Sequence, residues 1–212
     1  MTGVQTCALP ISNKISIYNG VNWDAERVTV TPPEYEQFAE SQSPIVAAIG
    51  RLVPAKGFDL LIAAWESKFG YLFVVGDGPE RGSLEALVAA RGLAENVFLI
   101  GHKDSALDYI GAADLVVIPA RNEGFSYVFA EAVLEKTPVI STDVPIPNEV
   151  LPKQYICAIK NVEAIHLLLT TALSNVNRLE QSFAPLFDYA EKNLTLARSR
   201  DQTLSAYEAL IE

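Results

Sequence analysis

Cysteine and histidine are scarce in this 212-residue chain, and basic residues are in the minority. The two cysteines, Cys7 and Cys157, give neither a disulfide framework nor metal-ligand spacing. His102 and His166 stand far apart, so no zinc site is expected. Lys and Arg number 16 against 26 Asp and Glu, a net charge of −10. No basic stripe is long enough to follow a nucleic-acid backbone, which excludes that partner class. No apolar run approaches the roughly 18–20 residues of a spanning helix. Apolar residues themselves are plentiful, at 50% of the chain. That suffices for a packed core and excludes disordered and collagen-like classes. One generous domain, or part of a longer protein, is the expectation.

Met1–Ile11 (MTGVQTCALPI) reads differently from the rest. It lacks a basic leading region, and its apolar stretch is too short for a signal peptide. The string resembles the translation of a short-read sequencing adapter, with a GTG codon read as the start Met. It is therefore set aside from the fold, and Cys7 with it. The expected domain covers residues 12–212, with an upstream domain missing. Genomic DNA encoding residues 1–11 in frame would contradict this.

Further on, short apolar runs alternate with helical patterns. Ile15–Tyr18, Ile45–Ile49, Tyr71–Val75, Val97–Ile100, Leu115–Ile118, Pro138–Ile140 and Tyr155–Ala158 read as strands. Phe58–Trp65, Pro79–Ala90, Ser126–Leu134 and Val162–Leu173 read as helices, followed by a helical region to Ile211 in which Pro185 starts or kinks a helix. The polar stretch around Pro32-Pro33, through Ser43-Pro44, reads as a linker. Continuous apolar strands alternating with helices predict an α/β fold, a Rossmann-like parallel sheet covered by helices on both faces, with a helical C-terminal extension. Ligands of such sheets sit at the carboxyl ends of the strands.

The candidate residues collect at those ends. Arg51 and Lys56 follow the first core strand and precede a helix, an arrangement suited to a diphosphate; two solvated surface cations would have the same sequence. Gly76 opens a Gly-Asp-Gly-Pro turn that does not fit the dinucleotide fingerprint G-x-G-x-x-G and serves equally as a plain tight turn. Gly101, His102 and Lys103 follow the third core strand, where backbone can approach a base. After the fourth comes Pro119-Ala120-Arg121-Asn122-Glu123-Gly124-Phe125-Ser126. Glu123 precedes a predicted helix and Glu131 lies within it, roughly 12 Å further along at 1.5 Å per residue. Gly124 allows a ligand close to the backbone, and the N–H groups of Phe125 and Ser126 point outward from the helix start. Glu123 as a helix-terminal charge and Glu131 as a surface residue are the plainer alternatives.

Five motifs occur in order: Gly-Arg-x4-Lys-Gly at 50–57, Val-Gly-Asp-Gly-Pro at 75–79, Ala-Asp-Leu-Val-Val-Ile-Pro at 113–119, Glu-Gly-Phe at 123–125 with Glu131-Ala132, and Pro-Val-Ile at 138–140. Asn19-Gly20-Val21 precedes them. Together they resemble the donor-binding C-terminal half of a retaining GT-B glycosyltransferase of the family 4, group 1 type. The spacing E-x7-E from Glu123 to Glu131 is the most specific piece.

The resemblance implies transfer of a hexosyl group, with retention, from a nucleotide-diphosphate sugar, with no other cofactor and no metal. Arg51 and Lys56 would stabilise the departing diphosphate, and Glu123 would hold donor-sugar hydroxyls; these three are the implied catalytic residues. Gly124, Phe125 and Ser126 would offer N–H groups, Glu131 would bind the ribose, and Gly76 with Gly101, His102 and Lys103 would border the base. The family often has Gly at the position of Ser126 and Ser at that of Ala120, which puts some sugar contacts in doubt. The implied partner is a missing N-terminal GT-B domain that carries the acceptor site and any membrane association. The fragment is then expected to bind donor without transferring sugar, in the cytosol or at the inner membrane face. Its C-terminal helical region would lack its packing partner and favour self-association. A nucleotide-sugar epimerase or phosphorylase on the same plan, a non-catalytic nucleotide-binding module and a dinucleotide oxidoreductase are the competing classes. The sequon at Asn193-Leu194-Thr195 is read as incidental.

Overall fold

The computed structural model describes residues 17–23 and 26–209. Met1–Ile11, the first two residues of the Ile15–Tyr18 run, and Ile211 lie outside them. Ile17 and Tyr18 belong to no strand.

Among the described residues six parallel strands form one sheet. In chain order they are β1 (Ile45–Ile49), β2 (Tyr71–Val75), β3 (Val97–Gly101), β4 (Leu115–Ile118), β5 (Val139–Thr142) and β6 (Ile156–Cys157). Their spatial order is β3-β2-β1-β4-β5-β6. The helices are α1 (Pro33–Glu36), α2 (Phe58–Ala64), α3 (Arg81–Ala90), α4 (Ala106–Gly111), α5 (Tyr127–Leu134), α6 (Pro145–Val150), α7 (Val162–Leu173), α8 (Val176–Asn193) and α9 (Leu196–Glu208). Every residue of β4 and β5 is buried. A strand buried on both faces needs a layer on each side. The layers come from α2, α3 and α7, which pack together, and from α4 and α5, with α8 against α5. This is the Rossmann-like α/β fold the alternation predicts.

The order reverses between β1 and β4. Chain leaving β1 crosses toward β2, and chain leaving β4 crosses toward β5, so their loops diverge and open a crevice. Everything expected of Arg51, Lys56 and Glu123 depends on this point.

Three expectations change. Residues read as a linker are part of the domain: Tyr35 of α1 is buried, its ring centroid 4.5 Å from that of Phe73, and Phe38 lies 3.9 Å from Tyr71. The turn that follows α1, with Phe38 N–H donating to Tyr35 O at 2.9 Å, brings both rings against the sheet. Of the two readings of Pro185, the start of a helix is overturned, since it sits inside α8. The helix expected from Pro79 begins at Arg81, because the turn before it is tied to the loop after β1: Leu52 N–H donates to Asp77 O and Glu80 N–H to Leu52 O.

Candidate functional site

Two loops build the crevice. The first, Gly50–Gly57, leaves β1 and ends in a short 3-10 turn over Pro54–Lys56. Gly57 then takes the left-handed conformation, φ 71°, and lies so close to β4 that a Cβ there would stand 2.1 Å from the Pro119 carbonyl oxygen. Only glycine meets both demands. The second loop, Pro119–Ser126, leaves β4 and enters α5.

The loops are fastened together. Arg121 N–H donates to Ala55 O at 2.8 Å. The Arg121 guanidinium donates both ways to Asp59, 2.6 Å to each oxygen, and to Pro54 O at 2.7 Å. This fork geometry is the strong, orienting kind. The Arg121 hydrogen bonds hold the Asp59 carboxyl below the usual carboxylate range, against a smaller opposing effect of burial. Underneath, the buried Thr142 hydroxyl donates to Ala120 O at 2.6 Å. Neither Arg121 nor Asp59 stood out in the sequence. The signal available was their place just outside the motifs, Asp59 two residues after Gly57 and Arg121 two before Glu123, with opposite charges.

Within this frame Lys56 and Glu123 meet, Nζ to Oε2 at 2.5 Å, with side chains 27% and 15% exposed. They line a narrow cleft with Ile49, Phe58, Ser126 and Val128. Arg51 is exposed, and its guanidinium has no ion-pair or hydrogen-bond partner among the described residues. Among those residues the N–H groups of Gly124, Phe125 and Ser126 also donate to no protein acceptor. A Cβ on Gly124 would meet nothing within 4 Å, and its φ is not left-handed, so neither backbone conformation nor packing explains glycine there.

Ser126 is 2% exposed, and its hydroxyl accepts from Phe129 N–H at 3.3 Å, capping α5. Where the family often has Gly, this chain has a helix cap. Phe125 is half-buried, edge-on to Tyr127 at 5.0 Å. Glu131 is half-buried on α5 without a side-chain partner among the described residues. Burial, and after it the charge of Glu135, push its carboxyl above the usual range. The Glu123–Glu131 separation is helical only from Tyr127 onward, so the 1.5 Å rise does not span all of it. No hydrogen bond or ion pair joins Arg51 or Glu131 to the Lys56–Glu123 pair.

Gly76 and Gly101 sit side by side at the ends of β2 and β3, Gly76 N–H donating to Gly101 O at 2.8 Å. A Cβ on Gly76 would stand 2.0 Å from Gly50 O, so packing alone accounts for that glycine. His102 is exposed. Lys103 is committed to Glu34 at 2.5 Å, and Tyr109 donates to the other Glu34 oxygen at 2.7 Å. A separate cavity of about 350 Å³, lined by Glu149, Tyr155, Phe183 and Tyr189 among others, lies near the β6 edge and shares no residue with the crevice. Among the described residues no cluster of side chains could hold a metal, and no helix is long and apolar enough to cross a membrane.

The model of the glycosyl transferases group 1 family matches residues 31–184. The O-antigen biosynthesis glycosyltransferase WclY of Escherichia coli is 31% identical over 183 residues, 84% of this chain and 52% of that protein. The lipopolysaccharide core biosynthesis glycosyltransferase LpsE of Rhizobium meliloti is 35% identical over 103 residues, 48% of this chain and 30% of that one. The chain spans about half the length of WclY. Among solved structures, Anabaena Alr3699/HepE in complex with UDP superposes with a TM-score of 0.79 at 20% identity, covering 91% of this chain and 57% of that one. WaaG, a glycosyltransferase involved in lipopolysaccharide biosynthesis, gives 0.73 at 23% identity, covering 88% and 54%. Over the part covered, the fold is that of these GT-B glycosyltransferases. With the family model matched over well more than half its length, the chain belongs to the group 1 glycosyltransferases.

Proposed function

We propose that residues 12–212 are the donor-binding C-terminal half of a retaining, family 4 type glycosyltransferase, and that the crevice between β1 and β4 holds a nucleotide-diphosphate sugar. The observation that carries this is the set of N–H groups at Gly124–Ser126 without a protein acceptor, at the start of α5 and beside Lys56, with the unpartnered Arg51 on the facing loop. Unmatched donors and cations at a helix start suit an anion. The UDP named with the Anabaena structure supports a nucleotide there.

Arg51, Lys56 and the three N–H groups neutralise the diphosphate. When the bond from the anomeric carbon to the phosphate oxygen breaks, its electron pair stays on the phosphate, and the same groups stabilise that charge. Fixed donors aimed at developing charge are commonly the largest catalytic contribution. Glu123 accepts from donor-sugar hydroxyls. Glu131, half-buried and without a partner, accepts from the ribose hydroxyls. Gly76 and Gly101–Lys103 border the base, with Lys103 held aside by Glu34. The acceptor and any peripheral attachment to the inner membrane face belong to an N-terminal half outside this chain, so the chain binds donor and does not transfer sugar.

Titration calorimetry with UDP-, GDP- and ADP-sugars tests the reading. Binding of one of these, weakened by Lys56→Ala and Glu131→Ala, is expected. Binding of NAD in place of any nucleotide sugar contradicts it. Turnover of donor by this chain alone contradicts the division of labour between halves.

A further inference from the structure

Lys56 and Glu123 are assigned above to different parts of the donor, yet in this structure they are partners of each other at 2.5 Å. A diphosphate that engages the Lys56 ammonium brings its own negative charge up to the Glu123 carboxylate. With both side chains mostly shielded from solvent, that repulsion is weakly screened. Arg121, two residues before Glu123, does not take over, because both Asp59 oxygens and Pro54 O hold it.

The outcome then depends on what the diphosphate carries. An intact donor brings sugar hydroxyls, so Glu123 exchanges an ammonium for O–H donors and stays satisfied. A bare nucleoside diphosphate brings none and leaves a half-buried carboxylate beside an anion, the costly arrangement for a charge. We propose that the Lys56–Glu123 ion pair makes Glu123 a specificity determinant, selecting the sugar-bearing nucleotide and expelling the spent nucleoside diphosphate. This rests on the donor-site reading of the preceding subsection. It assigns the Glu123 charge a second task besides holding the sugar, namely product release.

Glu123→Gln separates the two tasks, since glutamine keeps a hydroxyl acceptor and loses the charge. The test is calorimetry of the 212-residue chain and this variant with UDP and UDP-glucose, GDP and GDP-mannose, and ADP and ADP-glucose. The pair that the original chain binds carries the comparison. The variant is expected to bind the bare diphosphate about tenfold more tightly and the sugar ester no more tightly. The preference for the ester then falls by about the same factor. Glu123→Ala, read the same way, keeps the test open if the glutamine variant does not fold; it should also gain affinity for the bare diphosphate, and lose more for the ester. An unchanged preference, or equal weakening of both ligands, overturns the proposal while leaving the donor site standing. Failure of the original chain to bind any of the six overturns the donor-site reading itself.

Discussion

At Gly57 a Cβ would meet the Pro119 carbonyl oxygen at 2.1 Å in a left-handed backbone, whereas at Gly124 it would meet nothing within 4 Å. Gly57→Ala is predicted to cost about 2–4 kcal/mol, from strain and from backbone pressed on backbone. It should show as a lowered thermal midpoint. Gly124→Ala should melt at or slightly above the original, since alanine restricts the unfolded chain, and bind donor roughly tenfold more weakly. Equal binding would mean that no ligand approaches the backbone there. Glu131 gives a second contrast. Its carboxyl titrates above its ordinary value of 4.5 in the folded chain. Folding therefore favours the protonated form. That contribution is complete below the ordinary value and is lost as pH rises through the folded one, so the ionised group opposes folding at neutral pH. Glu131→Gln should raise the melting temperature at pH 7, the gain shrinking toward pH 4, while nucleotide affinity falls about tenfold.

Among the elements, the two loops act as one unit because Arg121 and Asp59 clamp them. Arg121→Lys keeps the charge but not the fork. It should cost about 1 kcal/mol of stability and weaken nucleotide binding roughly fivefold, although Arg121 is assigned no ligand contact. The Asp59 carboxyl is held below its ordinary value. The clamp is therefore complete above that value and lost as pH falls through the lower folded one, which an acid melting series would follow. β1, β2 and β4 were legible to the residue, because each is a short, closed run of apolar residues buried on both faces. α4 and α6 were not. Each has six residues, too few for a period to emerge, and the second, PIPNEV, also carries two prolines that disguise a helix. α1 escaped because its burial is a tertiary fact, decided by the aromatic residues of β2 and β3. The loop residues at 56 and 123 were legible through motif order. The clamp was not, since its partners lie 62 positions apart and no local pattern pairs them.

Over the whole molecule, the chain enters and leaves the sheet domain at one place. Val21 N–H donates to Leu194 O, and Leu196 N–H to Val21 O, with Gly20 pressed on the start of α9. Beyond that clip, α9 buries no residue and exposes Leu196, Leu204 and Tyr207. The chain as it stands is predicted to self-associate despite its charge of −10. In sedimentation velocity at micromolar concentration, Leu204→Lys with Tyr207→Lys should shift it to monomer. The donor has two places to bind, the crevice between β1 and β4 and the cavity lined by Glu149, Tyr155 and Tyr189. Amide chemical-shift mapping during titration with UDP-, GDP- and ADP-sugars decides between them. The largest shifts are expected at Arg51–Gly57 and Gly124–Ser126, with smaller ones at Gly76 and Gly101. Shifts confined to Glu149–Tyr155 and Ser182–Tyr189 would contradict the crevice as the donor site.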